Sequence, residues 1–141
     1  MRILSFITIV IALGACKPEA GKIEYGKDGC SFCSMTIVDN QHAAQIVTDK
    51  GKVFKFDAVE CMLNDYKKRV KSEVALILVN NYDDPGQFIP AENAAFLISK
   101  AIPSPMGAFL SAFDNNETAM IIKAEKGGDL YNWQSIQAKF Q

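Results

Sequence analysis

The spacing of apolar residues changes several times along the chain, and each change marks an element. Ala44 to Thr48 and Lys52 to Phe56 read as two short strands around Asp49-Lys50-Gly51, a hairpin turn. Asp57 then opens a helix, because Val59, Met62, Leu63, Tyr66 and Val70 fall on one helical face. Val74 to Val79 is β-branched and apolar, as a buried strand should be. The order is β-β-α-β. The second half repeats it. Ala94 to Ser99 and Ala108 to Phe113 are strands, and Asp114 opens a helix to about Lys126. Gly127-Gly128 ends that helix, and Leu130 to Trp133 begins a last strand.

The two strand-to-helix junctions agree in letters as well as order. Phe56-Asp57-Ala58-Val59-Glu60 parallels Phe113-Asp114-Asn115-Asn116-Glu117. Each Asp is placed to accept N–H groups of the first turn, and each Glu to reach back to the cap. The expected fold class is therefore α+β, built of two successive β-β-α-β units at about residues 43–80 and 93–140. Tyr82 to Gly86 reads as a turn-rich linker between them. Ile102 to Gly107, stiffened by Pro103 and Pro105, interrupts the second hairpin and is a candidate functional loop.

Ahead of the first unit the pattern is of another kind. Arg2 precedes an almost unbroken apolar run, Ile3 to Leu13, which is too short to span a bilayer as a mature helix. It ends in Leu13-Gly14-Ala15-Cys16. Two small residues before a cysteine resemble a bacterial lipobox, so residues 1–15 read as a signal peptide and Cys16 as the lipidation site. Residues 16–28 read as a tether and 29–141 as one domain. The expected location is the cell envelope, outside the cytoplasm and anchored to a membrane. The formal net charge is −1 and no Lys/Arg run carries interleaved aromatics, which gives nucleic-acid binding no support.

With Cys16 lipidated, the remaining cysteines are Cys30, Cys33 and Cys61, an odd number for an oxidising compartment. The densest cluster is Cys30-Ser31-Phe32-Cys33-Ser34-Met35, expected on an exposed or half-exposed loop before a strand candidate, Met35 to Val38. Thiolate and thioether donors favour Cu(I), and Cys33 and Met35 are close enough in sequence to hold one ion. A Cys-x-x-Cys pair also serves thiol–disulfide chemistry. The blander reading is a Cys30–Cys33 disulfide with Met35 filling the core. Among the other candidates, Met62 and Met120 read as core, and Cys61 faces either the core or the metal loop. Met106, on the stiff loop beside Gly107, is placed to be a ligand or a plug. His42 reads as a surface residue.

Cys16, Cys33-Ser34-Met35, Phe56 to Cys61 and Pro105-Met106-Gly107 together resemble the NosL family, lipoproteins associated with maturation of nitrous oxide reductase. The resemblance covers nearly all of the mature chain. It implies a fold of two β-β-α-β units similar to a domain of organomercurial lyase. It implies a non-enzymatic carrier that delivers Cu(I) to the nitrous oxide reductase apoprotein, and a homodimer sharing one ion stays open. The implied donors are Cys33 and Met35, with Met106 or Cys30 as the third; Met62, Cys61 and Asp57 are further candidates in or behind the site. The chain departs from the family pattern twice. Ala108 and Phe109 stand where many members follow the loop with a His, and Cys30 is an added thiol. The alternative is an extracytoplasmic thiol–disulfide protein acting through Cys30 and Cys33.

Overall fold

The computed structural model describes residues 17–141; the signal and lipidation readings, including Cys16, lie outside the described residues. In the first unit, β1 (Ala44–Thr48) pairs antiparallel with both β2 (Val53–Phe56) and β3 (Val74–Asn81), and α1 (Val59–Tyr66) connects β2 toward β3. In the second, β5 (Ala95–Ile98) pairs antiparallel with β6 (Leu110–Phe113) and β7 (Asp129–Tyr131), and α2 (Asn116–Lys126) lies between β6 and β7 in sequence. Sheet orders β2-β1-β3 and β6-β5-β7 put the first strand of each unit in the middle. The expected α+β class and the repeated β-β-α-β order both stand.

The repeat is joined by burial. Ile46, Phe56 and Met62 of the first unit share a hydrophobic core with Phe96, Leu110 and Ala112 of the second. A smaller cluster of Leu97, Phe113 and Ala119 packs α2 onto the second sheet. α1 contributes Val59, Met62 and Leu63, the i, i+3, i+4 set read from its period, whereas Val70 falls beyond the helix end and is exposed. Met120 is a correction: it is 55% exposed, because only Ala119 of α2 is fully buried.

Three segments differ from expectation. The linker is half strand: β4 (Asp84–Pro90) folds back on β3 from a tight turn at Tyr82-Asp83, adding an outer strand to the first sheet. An edge position tolerates Pro85 and Gly86, the residues that made the segment look like a loop. Trp133 starts a helix, α3 (Trp133–Lys139), rather than extending a strand, because Asn132 and Ser135 cap each other reciprocally. Met35 to Val38 forms no strand; a single bridge, Gly29 to Thr36, closes its loop.

The stretch expected to be a tether is pinned well before its end. Gln45, buried in β1, accepts a hydrogen bond from the Gly21 amide at 3.0 Å and donates to the Gly21 carbonyl. Ile23 enters the core. Gly128 allows the sharp exit from α2: at φ +105°, a Cβ there would lie 2.2 Å from the Ile98 carbonyl oxygen.

Candidate metal centre

The cysteine loop hangs on the outer edge of β2. The Ser31 amide donates to the Lys55 carbonyl at 2.7 Å, and the Lys55 amide returns a bond to Ser31 Oγ at 3.2 Å. Lys55 Nζ also meets Asp28 Oδ2 at 2.7 Å and holds that carboxyl below the usual carboxylate range. These contacts cover an otherwise unpaired sheet edge and fix where the loop turns. The turn closes through Cys30 N to Met35 O at 2.8 Å and Ser34 N to Cys30 O at 3.0 Å. Ser34 sits at φ 67°, the left-handed region a tight turn requires and a side chain seldom adopts.

This geometry delivers the thiols to one place. Cys30, Cys33, Cys61 and Asp57 bring their donor atoms within 4.8 Å of one another. Cys30 and Cys61 are buried, Cys33 is half-buried, and all three are free thiols. Cys33 Sγ donates to Asp57 Oδ1 at 3.5 Å, while Asp57 Oδ2 is buried with no partner. The Cys61 thiol is hydrogen-bonded to the Cys30 sulfur, the largest influence lowering Cys30 to about 6; burial opposes it, and the amides of Cys33, Asp57 and Phe32 add to the lowering. The bond to Cys30, together with burial, pushes Cys61 up. Burial also pushes Cys33 up, against the Met35 amide that points at its sulfur. Three thiols free of disulfides form a soft donor set that matches a thiophilic cation, with a bare buried carboxylate oxygen beside them.

The sequence-predicted residues separate accordingly. Cys30 and Cys33 meet as the motif suggests, and Cys61 joins them because α1 begins immediately behind the loop. Asp57 is not the helix cap it was expected to be. The N-cap is Ala58 with no side-chain bond, and the Asp57 carboxylate turns into the cluster. In the second unit the cap is Asn115, which accepts from Thr118 N at 2.8 Å, rather than Asp114. Met35 and Met106 are both on the surface, 51% and 42% exposed, and Met62 is core.

Glu60 was read as a capping residue, yet it is buried and accepts from Ser104 Oγ. It thereby ties the Pro-rich loop to the helix turn that carries Cys61. The expectation for His42 was also wrong. It is 2% exposed, with Nδ1 2.8 Å from Asp39 Oδ2 and Nε2 3.1 Å from Ser111 Oγ. Burial works against the Asp39 charge, but the bonds from His42 and Gln41 outweigh it and keep this carboxyl low.

Fold and site together define a class: a small α+β protein with a cysteine-rich centre suited to a metal. The sequence model of the NosL family matches residues 23–140, and the chain belongs to that family. Among solved structures it is similar to the copper chaperone NosL from Shewanella denitrificans. The two share 22% identity and a TM-score of 0.70, over 84% of this chain and 95% of that one. No curated protein matches.

Proposed function

We propose that this protein is a lipid-anchored carrier of Cu(I) in the bacterial cell envelope, serving assembly of the copper site of nitrous oxide reductase. The observation that carries the reading is the convergence of Cys30, Cys33 and Cys61 with Asp57 in a chain of the NosL family. Cargo and donors fit each other. Cu(I) is soft and satisfied by few ligands, and the thiols are unpaired. Cys33 anchors the ion, because it is the only member of the cluster that is not sealed. Met35, exposed on the same turn, supplies a neutral thioether, with Met106 or Cys30 as third donor. A neutral donor near the surface lets a recipient displace it and take the ion without releasing it to water. The function is carriage, not catalysis.

The anchor follows from the sequence before Lys17: a short apolar run ending in a lipobox, with Cys16 acylated. Among the described residues no helix is long and apolar enough to cross a membrane. Cys16→Ala should leave copper binding intact and release the exported protein from membranes, since the anchor acts only through its acyl chains. Retention of that variant in the membrane fraction would show the anchor to be elsewhere.

A thiol–disulfide role for Cys30 and Cys33 is the second reading, favoured by the lowered Cys30 thiol. Competition of the reduced protein against a chelator of known Cu(I) affinity separates the two. Strong binding that is lost in Cys33→Ser supports carriage. Negligible binding, with rapid exchange against a model disulfide, supports the alternative.

A further inference from the structure

The centre has an outer and an inner part. Cys33 and Met35 reach the surface, whereas Cys30 and Cys61 are 4% and 1% exposed. Carriage on Cys33, Met35 and Met106 would leave both buried thiols without a task, and a third donor from Cys30 would still leave Cys61. They are costly in that place: a carboxylate oxygen lies unpartnered beside them, and apolar side chains would pack there without that penalty. They also form no disulfide. Their sulfurs lie with Cys33 Sγ and an Asp57 carboxylate oxygen within 4.8 Å of one another.

We propose that Cys30, Cys33 and Cys61 form an inner seat for the same monovalent ion, which enters on Cys33 and Met35 and then settles on three thiolates. The inference rests on the Cu(I)-carrier reading and assigns the two buried thiols to it. On settling, the bond from copper to the Met35 sulfur breaks as bonds to the Cys30 and Cys61 sulfurs form. Cys33 stays bound throughout. Any thiol protons still on these sulfurs leave to solvent, and copper remains monovalent. The reverse sequence returns the ion to the outer pair for release. Donor atoms already within 4.8 Å of one another need little movement to close on one ion. The inner seat excludes thioethers, so it holds more tightly; the outer pair exchanges faster.

Selenium distinguishes the two seats directly. The full chain, in detergent and reduced, is prepared with selenomethionine and loaded with less than one equivalent of Cu(I). Copper X-ray absorption should then show a sulfur shell without selenium. Cys61→Ser and Cys30→Ser should each bring selenium into the shell and weaken binding by about 10- to 100-fold, the range for damaged metal sites. Thermal unfolding of the metal-free variants checks that both still fold; if neither does, the unsubstituted selenomethionine protein decides alone. Selenium at low loading, with unchanged affinity in Cys61→Ser, overturns the inner seat. In that case a loss in Cys33→Ser preserves the carrier reading. Unchanged binding in Cys33→Ser overturns the carrier reading itself. A preference for Zn(II) over Cu(I) under these conditions would also overturn the proposal.

Discussion

Ser104 donates its hydroxyl hydrogen to the buried carboxylate of Glu60, joining a loop of the second unit to a helix of the first. The same hydroxyl accepts the Phe109 amide at 2.9 Å, and Glu60 lies 3.4 Å from the Ala108 amide. Phe109 takes φ 59°, so the chain turns sharply into β6 at the point these bonds secure. Glu60 and Cys61 are neighbours; the loop bearing Met106 is therefore fixed to the helix turn that supplies the third thiol.

Glu60→Ala should destabilise the protein by about 1–3 kcal/mol, because Ser104 and the loop amide lose a buried acceptor. Amide hydrogen exchange should rise first between residues 104 and 109. Unchanged exchange there would show that the loop is held by its prolines alone.

Copper affinity should fall most in Cys33→Ser and far less in Met35→Leu and Met106→Leu, whose thioethers serve only the outer, exchanging position. A thiolate is a charged, strong donor to a soft ion, a thioether a weak one and a hydroxyl a poor one. Chelator competition on the three variants measures the order, and an equal loss in all three would contradict it.

Thiol ionisation should be split. Ultraviolet thiolate absorbance should show one cysteine titrating at about 6, with the others above 9.0, the ordinary thiol value. Cys30→Ser should remove the low step. A thiol whose folded pKa is depressed contributes stability in full above its unfolded pKa and loses it as pH falls through the folded value. The Cys30 contribution should thus fade between pH 9.0 and about 6 on acidification. Three thiols titrating together would contradict the Cys61 bond that chiefly lowers Cys30.

The two Phe-Asp junctions should respond differently to the same change. Asp114→Ala should stay within about 0.5 kcal/mol, since Asp114 is exposed and does not cap. Asn115→Ala should cost about 1 kcal/mol as a lost cap. Asp57→Ala should lower copper affinity. Urea unfolding and chelator competition measure the three side by side.

His42→Ala should cost about 1–3 kcal/mol, because Ser111 and Asp39 lose a partner in a buried setting. Copper affinity should be unchanged. A copper loss without destabilisation would place His42 in the metal path.

Strand and helix order were readable because they are written in local periods: Val59, Met62 and Leu63 predict α1 without reference to anything distant. The Cys30–Cys33 pairing was readable for the same reason. What escaped depends on partners far away in sequence. Asp57 precedes a helix, and an Asp there caps or ligates according to what the preceding loop brings near. His42 looked superficial because its second partner, Ser111, is 69 positions on. The odd cysteine count, with Cys61 four residues after Asp57, was the one available sign of a four-donor cluster. In β4, Pro85 and Gly86 disguised an edge strand. In α3, a cap made by Asn132 and Ser135 lacked the usual acidic third residue.

The double hydrogen bond between Gln45 and Gly21 would set the length of the proposed mooring line. With acyl chains on Cys16, as proposed, five peptide steps separate the lipid from the first pinned residue. Fully extended, they span at most about 18 Å. A domain anchored in that way could not sweep through the surrounding space in search of a client. It would ride against the headgroup layer, and any donor or recipient of its cargo would have to come down to the bilayer surface to meet it.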